Sequence, residues 1–141
     1  IDEAFGRLLG SGQPAYVDKH RIGCREALQS IRDAGGVPVL AHPGLLSFET
    51  RRGLADAVSG LMDMGLMGLE VFYPEHTPAF TATCRRLARR HDLLMTGGSD
   101  FHGALNPEIR MGVGRGDLNV PFALYEDLVR RVQTAARGSA R

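Results

Sequence analysis

Three short apolar runs, separated by stretches with helical periodicity, constrain the fold of this chain most. The runs cover residues 37–41, 67–73 and 92–95, and short apolar runs of this kind fit buried strands better than surface helices. Apolar residues at helical spacing lie before, between and after them. This alternation of helix and strand predicts an α/β fold made of consecutive βα units with parallel strands.

Glycine, proline and capping residues predict where the helices begin and end. A short helix over 2–9 is followed by a connector to residue 23, and a second helix over 24–34 ends at two glycines. Ser47 is the predicted N-cap of a third helix that reaches about Met64, and Thr77 is that of a fourth. Pro121 opens the last helix. We therefore expect a helix and connector over 1–23, βα units over 24–136 and a frayed tail over 137–141.

Composition places the chain among ordinary globular domains. Its 141 residues are 43% hydrophobic and 23% charged, with a net charge of +1, so charge gives no general argument for nucleic acid or a membrane surface. No stretch resembles a secretory signal or a membrane-spanning helix. We expect a cytoplasmic protein in which Cys24 and Cys84 are reduced, buried thiols. Because Ile1 falls inside an amphipathic pattern, we also expect the chain to be a piece of a longer one.

Polar residues that can bind a metal follow the predicted strands. His42, His76 and the pair Asp100 and His102 come just after the three runs, so three of the five histidines lie there. Carboxyl ends of parallel strands meet at one edge of a sheet, where sites are built. Imidazole nitrogen and carboxylate oxygen suit Mn²⁺, Fe²⁺ or Zn²⁺. We predict that His42, Asp100 and His102 bind metal, although His42 as a core histidine and Asp100 as a loop cap stay open.

Other candidates have more ordinary alternatives. Glu70 lies within an apolar strand, where an unpaired carboxylate is costly, so we predict that it supports a metal ligand or a basic residue. His76 either contributes to the site or only leads into the fourth helix. Ser99 is a loop residue, because no base is spaced to activate it. The arginines of the fourth helix predict a solvated face rather than a phosphate-binding patch: Arg85, Arg86, Arg89 and Arg90.

Three motifs together resemble the C-terminal half of PHP-family (polymerase and histidinol phosphatase) metal-dependent phosphoesterases. They are Ala-Gly-Gly-Val-Pro-Val-Leu-Ala-His-Pro-Gly (34–44), Gly-Leu-Glu-Val-Phe-Tyr-Pro-Glu-His-Thr (68–77) and Thr-Gly-Gly-Ser-Asp-Phe-His-Gly (96–103). The resemblance implies the C-terminal part of a distorted (β/α)₇ barrel with two or three metal ions. By resemblance, His42, Asp100 and His102 match metal ligands of that cluster. The family's N-terminal His-x-His does not occur in these residues, and Glu70 does not match its bridging glutamate.

The reaction implied by the resemblance is hydrolysis of a phosphoester by metal-activated water. The small bacterial members that the chain resembles act on nucleoside 3′,5′-bisphosphates or on the 5′ ends of short RNA or DNA. His76 as a catalytic residue, Lys19 or an arginine would contact the leaving group or a second phosphate. Two alternatives stay open, a non-catalytic PHP-like module and an amidohydrolase that cleaves a C–N bond. We expect a small phosphorylated partner such as a nucleotide, no membrane, and association with a second copy or with the missing N-terminal half.

Overall fold

A computed structural model of the chain describes residues 2–18, 20–47 and 51–138. At its centre lies a parallel three-stranded sheet of β1 (Val39–Leu40), β2 (Gly68–Phe72) and β3 (Leu94–Gly97), in that order. Leu40 pairs with Leu69, and Glu70 pairs with Thr96. The predicted α/β class and the parallel strands are confirmed, while the closed seven-stranded barrel stays a prediction.

Five helices surround or precede the sheet within the described ranges. Lys19 and the residues just after Ser47 lie outside those ranges, so the predicted contact of Lys19 and the start of the third helix are not described. Met62, rather than Met64, ends that helix. The helices are α1 (Asp2–Ala4), which continues as a π-helical turn (Phe5–Leu9), α2 (Cys24–Asp33), α3 (Arg51–Met62), α4 (Pro78–Arg90) and α5 (Phe122–Gly138).

The hydrophobic core forms where α2, α3 and α4 pack on the sheet. Leu69 and Val71 of β2 have no exposed surface, so the central strand is also the centre of the core. The buried side of α4 consists of Cys84, Leu87 and Ala88. Ten buried residues make up the cluster: Leu28, Leu54, Val58, Leu66, Leu69, Val71, Cys84, Leu87, Ala88 and Leu93.

The strands differ from the sequence prediction at their ends. β1 has two residues instead of five, and the carbonyl of Pro38 just before it accepts hydrogen bonds from the amides of Met67 and Gly68 at 2.9 and 3.1 Å. β3 starts two residues later than predicted, because Asp92 adopts a left-handed conformation with a φ of 51° and belongs to the turn after α4.

The two cysteines differ in exposure. Cys84 is buried in the core, whereas Cys24 is exposed, and both are free thiols. The prediction that both are buried is therefore wrong for Cys24, which is the exposed first residue of α2. In the described ranges, no helix combines the length and apolar character required to cross a membrane.

Candidate functional site

The segments that follow the three strands meet at one edge of the sheet, around the ring of Tyr73. The centroids of the Tyr73 and His42 rings are 5.9 Å apart, and those of Tyr73 and His76 are 5.2 Å apart. The Tyr73 hydroxyl donates a hydrogen bond of 3.2 Å to Oδ2 of Asp100. We call this group the strand-end site; it consists of His42, Glu70, Tyr73, His76, Asp100 and His102.

His42 is held in an uncommon backbone conformation. Its φ of 30° and ψ of 55° lie in the left-handed region, which costs a non-glycine residue on the order of 1–3 kcal/mol. Its amide donates a 2.6 Å hydrogen bond to Oε2 of Glu70, and the following Pro43 is buried. The carboxylate of Glu70 thus contacts the main chain of His42, and its predicted support of a metal ligand or a basic residue stays a prediction.

Partial burial of Glu70 changes its acidity. Desolvation raises the pKa of the Glu70 carboxyl, and this effect outweighs the hydrogen bond from the His42 amide and the nearby imidazoles, which lower the pKa. The negative charge of Asp100 raises the pKa further. The charge of Asp100 therefore disfavours ionisation of Glu70, an effect that an added cation would relieve.

Asp100 is the second left-handed residue of the strand-end site, with a φ of 53°. Burial, followed by the charge of Asp100, raises the pKa of Tyr73 to about 12. Tyr73 therefore remains a neutral donor near pH 7 and fixes Oδ2 of Asp100. Nδ1 of His102 lies 2.7 Å from the main-chain oxygen of Asp100 and 3.7 Å from Oδ1. A proton on Nδ1 of His102 would leave Nε2 as the nitrogen with an available lone pair.

His76 uses both ring nitrogens for hydrogen bonds to the main chain. Nδ1 is 3.1 Å from the carbonyl oxygen of Val71, and Nε2 accepts the amide hydrogen of Gly44 at 3.2 Å. These bonds require the tautomer with its proton on Nδ1. The ring packs edge-on against Phe80 with centroids 4.8 Å apart. In this conformation His76 fastens the loop after β1 to β2, and its predicted catalytic role stays a prediction.

A later loop is attached to the strand-end site through Ser99. The Ser99 side chain is buried, and its Oγ accepts the amide hydrogen of Gly112 at 3.1 Å. Arg115, in the same loop, lies 3.7 Å from Glu75 and also pairs with Glu108. Ser99 thus behaves as the predicted loop residue, and it positions a segment that the sequence prediction left unassigned.

The donor groups of the strand-end site have suitable chemistry for a divalent cation, but the described residues do not complete a binding set. Among them, no group of three or more His, Cys, Asp or Glu side chains is placed to hold a metal ion. Nδ1 of His102 lies 3.7 Å from Oδ1 of Asp100, and the centroid of the His42 ring lies 5.9 Å from that of Tyr73. Metal binding by His42, Asp100 and His102 accordingly stays a prediction.

Two residues of this edge escaped the sequence prediction. Tyr73 was read only as the end of a strand, although a phenol at a strand's carboxyl end is a candidate hydrogen-bond donor. Arg85 was assigned to a solvated face, yet it is half-buried with its guanidinium carbon 5.2 Å from the centroid of the Phe72 ring. The solvated reading is confirmed for its neighbours, which are exposed: Arg86, Arg89 and Arg90.

Comparison with characterised sequences finds several bacterial phosphoesterases. The chain is 43% identical over 99 residues to a phosphoribosyl 1,2-cyclic phosphate 1,2-diphosphodiesterase of Eggerthella lenta, covering 70% of the chain and 36% of that protein. It is 32% identical over 99 residues to a 3′,5′-nucleoside bisphosphate phosphatase of Chromobacterium violaceum, covering 70% and 34%. A 5′-3′ exoribonuclease of Escherichia coli is 30% identical over 100 residues, covering 71% and 34%. The chain thus spans about a third of the length of these relatives.

Comparison with solved structures gives the same relationship, although no protein-family model matches the chain. A Bifidobacterium adolescentis protein assigned as a metal-dependent phosphoesterase superposes with a TM-score of 0.67 at 30% identity, covering 92% of the chain and 44% of that protein. An amidohydrolase of Chromobacterium violaceum, crystallised with sulfate and without metal, gives 0.63 at 27% identity with the same coverage. The resemblance predicted from the three motifs is confirmed: in sequence and in structure the chain is similar to PHP-like metal-dependent phosphoesterases.

Proposed function

We propose that the protein containing this chain hydrolyses phosphoesters of nucleotides or short oligonucleotides in a metal-dependent reaction. The observation that carries the proposal is the convergence of His42, Tyr73 and Asp100 from three separate strand ends. Relatives named as a diphosphodiesterase, a nucleoside bisphosphate phosphatase and an exoribonuclease support this reaction class. They also disfavour the alternative of a non-catalytic module.

In this proposal, His42, Asp100 and His102 provide part of the donor set for two or three divalent ions, with Mn²⁺, Zn²⁺ and Fe²⁺ as the candidates. Bound metal would supply a water of lowered pKa and positive charge for the phosphoryl oxygens. Glu70 keeps the main chain of His42 in place, and Tyr73 does the same for the carboxylate of Asp100.

Two roles can be considered for His76, a positioning role and a catalytic role. Its hydrogen bonds to Val71 and Gly44 make it a positioning residue for the loop that carries His42. A catalytic role would require Nε2 to exchange the Gly44 amide for a group of the substrate. We propose the positioning role for the substrate-free protein, with proton transfer by His76 as the role to be tested during turnover.

Metal content is the first test of the donor set. The protein that contains this chain and its His42→Ala/Asp100→Ala variant are equilibrated with Mn²⁺ or Zn²⁺, and bound metal is measured by inductively coupled plasma mass spectrometry. We expect the parent protein to retain metal and the variant to lose it. A His20→Ala/Asp56→Ala variant, in which the two removed side chains are exposed, is the matched control and should retain metal. Equal retention by all three proteins would refute these donors.

Substrate class is the second test, and it uses the protein that contains this chain. We expect hydrolysis of adenosine 3′,5′-bisphosphate or of a 5′-phosphorylated oligoribonucleotide, and no hydrolysis of an amide substrate. The structural relative named as an amidohydrolase makes the amide the informative comparison. Cleavage of the amide alone would replace the proposed reaction with C–N bond hydrolysis. A cytoplasmic location remains part of the proposal.

A further inference from the structure

We propose that a cleft beside Arg85 is an anion-binding subsite that holds the unreacted phosphate of a doubly phosphorylated nucleotide. The inference rests on the proposed function, because it assigns a substrate class to the same edge of the sheet. It adds a charged residue from α4 to a site otherwise built from the strand ends. We call this feature the Arg85 cleft.

The Arg85 cleft has a volume of about 400 Å³ and lies between the start of α4, the end of β2 and residues 117–119. Its apolar wall includes Phe72 and Pro78. Its polar lining combines a cation with neutral and acidic groups: Thr81, Arg85, Asp117 and Asn119. The amino end of α4 adds partial positive charge to this wall.

Arg85 is both held in place and available to a ligand. Its guanidinium carbon lies over the Phe72 ring, 5.2 Å from the ring centroid. No ion pair found among the described residues includes Arg85. The contact with an aromatic ring uses no N–H group of Arg85, so these donors remain available to a ligand. A fixed guanidinium fork of this kind matches the oxygens of a phosphate.

Neighbouring arginines do not have this combination. Arg115 pairs with the carboxylates of Glu75 and Glu108, and Arg86 donates a hydrogen bond of 3.0 Å to Oγ1 of Thr83 on an exposed face. Arg85 is half-buried, and its position seven residues after Pro78 places both on one face of α4. That face borders the carboxyl edge of the sheet.

Asp117 restricts the kind of anion that the Arg85 cleft accepts. Its carboxylate repels a bare phosphate, but it accepts hydrogen bonds from hydroxyl or amino groups. Arg85 would bind a phosphate, and Asp117 and Asn119 would bind a sugar or base. Together the three side chains match a phosphorylated nucleoside better than inorganic phosphate. The lining therefore favours a nucleotide as the occupant.

Tyr73 connects the Arg85 cleft with the strand-end site. Tyr73 and His76 line the cleft, and the hydroxyl of Tyr73 reaches Asp100 at 3.2 Å. One ligand could therefore place a phosphate near Asp100 and His102 and a second phosphate at Arg85. Nucleoside 3′,5′-bisphosphates and 5′-phosphorylated oligonucleotides carry two such groups.

The test compares substrates with one and two phosphates in the protein that contains this chain. In Arg85→Gln, we expect kcat/KM for adenosine 3′,5′-bisphosphate to fall about tenfold to a hundredfold, as the loss of a charged hydrogen bond predicts. The value for an adenosine monophosphate that is hydrolysed should stay within about twofold, because it lacks the phosphate that Arg85 would hold. Arg85→Lys should retain part of the preference. Arg86→Gln is the matched control and should change neither value.

A binding measurement separates this inference from the proposed function. Equilibrium dialysis with labelled adenosine 3′,5′-bisphosphate in EDTA needs no turnover. Retention that Arg85→Gln abolishes and Arg86→Gln preserves would support the Arg85 cleft even if no phosphoester were hydrolysed. Equal losses for mono- and bisphosphate, or binding unaffected by Arg85→Gln, would overturn it. Circular dichroism melting of each variant identifies a loss caused by unfolding. In that case Arg85→Lys replaces Arg85→Gln, with a partial loss expected for the bisphosphate and none for the monophosphate.

Discussion

Side chains of the strand-end site stabilise two neighbouring residues that have an unusual, left-handed backbone conformation. His42 and Asp100 both have positive φ values, and each has a partner on the segment from β2 to Tyr73. Glu70 accepts the amide of His42, and Tyr73 donates to the side chain of Asp100. Two of the three predicted metal ligands, His42 and Asp100, thus depend on neighbours that would not contact the metal.

Glu70→Ala should destabilise the chain and Glu70→Gln should do so less. Alanine leaves the partly buried amide of His42 without its acceptor, at a cost of about 1–3 kcal/mol, whereas glutamine retains an acceptor oxygen. Urea unfolding near pH 7 gives the difference in unfolding free energy. Equal stability of the alanine variant and the parent would show that the 2.6 Å bond contributes nothing measurable.

Glu70 should also make the unfolding free energy of the chain depend on pH. Burial raises the pKa of Glu70 in the folded chain above its ordinary value of 4.5, so the folded state binds the proton more tightly than the unfolded state. The parent therefore loses stability relative to Glu70→Gln as the pH rises from 4.5 through the raised pKa. Urea titrations of both proteins across this range measure the effect, and a difference that grows in the opposite direction would contradict it.

At the scale of elements, β2 and β3 approach closely at Gly97. A Cβ atom on Gly97 would lie 2.5 Å from Cβ and 2.8 Å from the carbonyl oxygen of Phe72. Because main chain cannot move aside, Gly97→Ala should lower the unfolding free energy by about 1–3 kcal/mol. Gly60→Ala is the control, since nothing lies within 4 Å there, and a helical alanine should stabilise α3 by about 1 kcal/mol. Thermal melts that rank the two variants in reverse order would refute this packing.

The start of α4 offers a second test at this scale. Thr77 caps the helix, because its Oγ1 accepts the amide hydrogen of Phe80 at 3.2 Å. Thr77→Ala should therefore cost about 1 kcal/mol, and Thr77→Ser should restore most of it. Chemical denaturation measures both changes. A serine variant as unstable as the alanine variant would exclude the cap as the cause.

Local patterns explain which elements could be predicted from the sequence. Thr77 and Pro78 start α4 as predicted, since capping depends on neighbouring residues. The parallel direction of the strands follows from the alternation of strands and helices along the chain. The Glu70–His42 and Tyr73–Asp100 bonds join residues 28 and 27 positions apart, so they depend on strand register, which periodicity does not specify. The partial burial of Arg85 could not be predicted for a related reason, because its aromatic partner Phe72 belongs to β2 and not to α4.

At the scale of the whole molecule, the sheet has two open edges. Within the described ranges, β1 and β3 each pair only with β2, and unpaired edges favour association. Several large apolar side chains are also exposed, including Phe5 at 55%, Leu105 at 76% and Phe122 at 71%. Both features agree with the expectation of association.

We expect this chain, prepared alone, to form dimers or larger species. Size-exclusion chromatography with multi-angle light scattering over a range of concentrations measures its mass, and a Phe122→Ser variant tests whether exposed apolar surface contributes. A monomer at every concentration would contradict the expectation and would mean that the open edges do not recruit a second copy.

The loop after β1 has one further property, which concerns proton exchange with solvent. The amides of His42 and Gly44 donate to the side chains of Glu70 and His76 rather than to carbonyls of a neighbouring strand. Their protection against deuterium therefore depends on whether those two side chains are in place, even while the sheet remains intact. The deuterium exchange rates of these two amides therefore measure local opening of the strand-end site, and the measurement needs no substrate, metal or turnover.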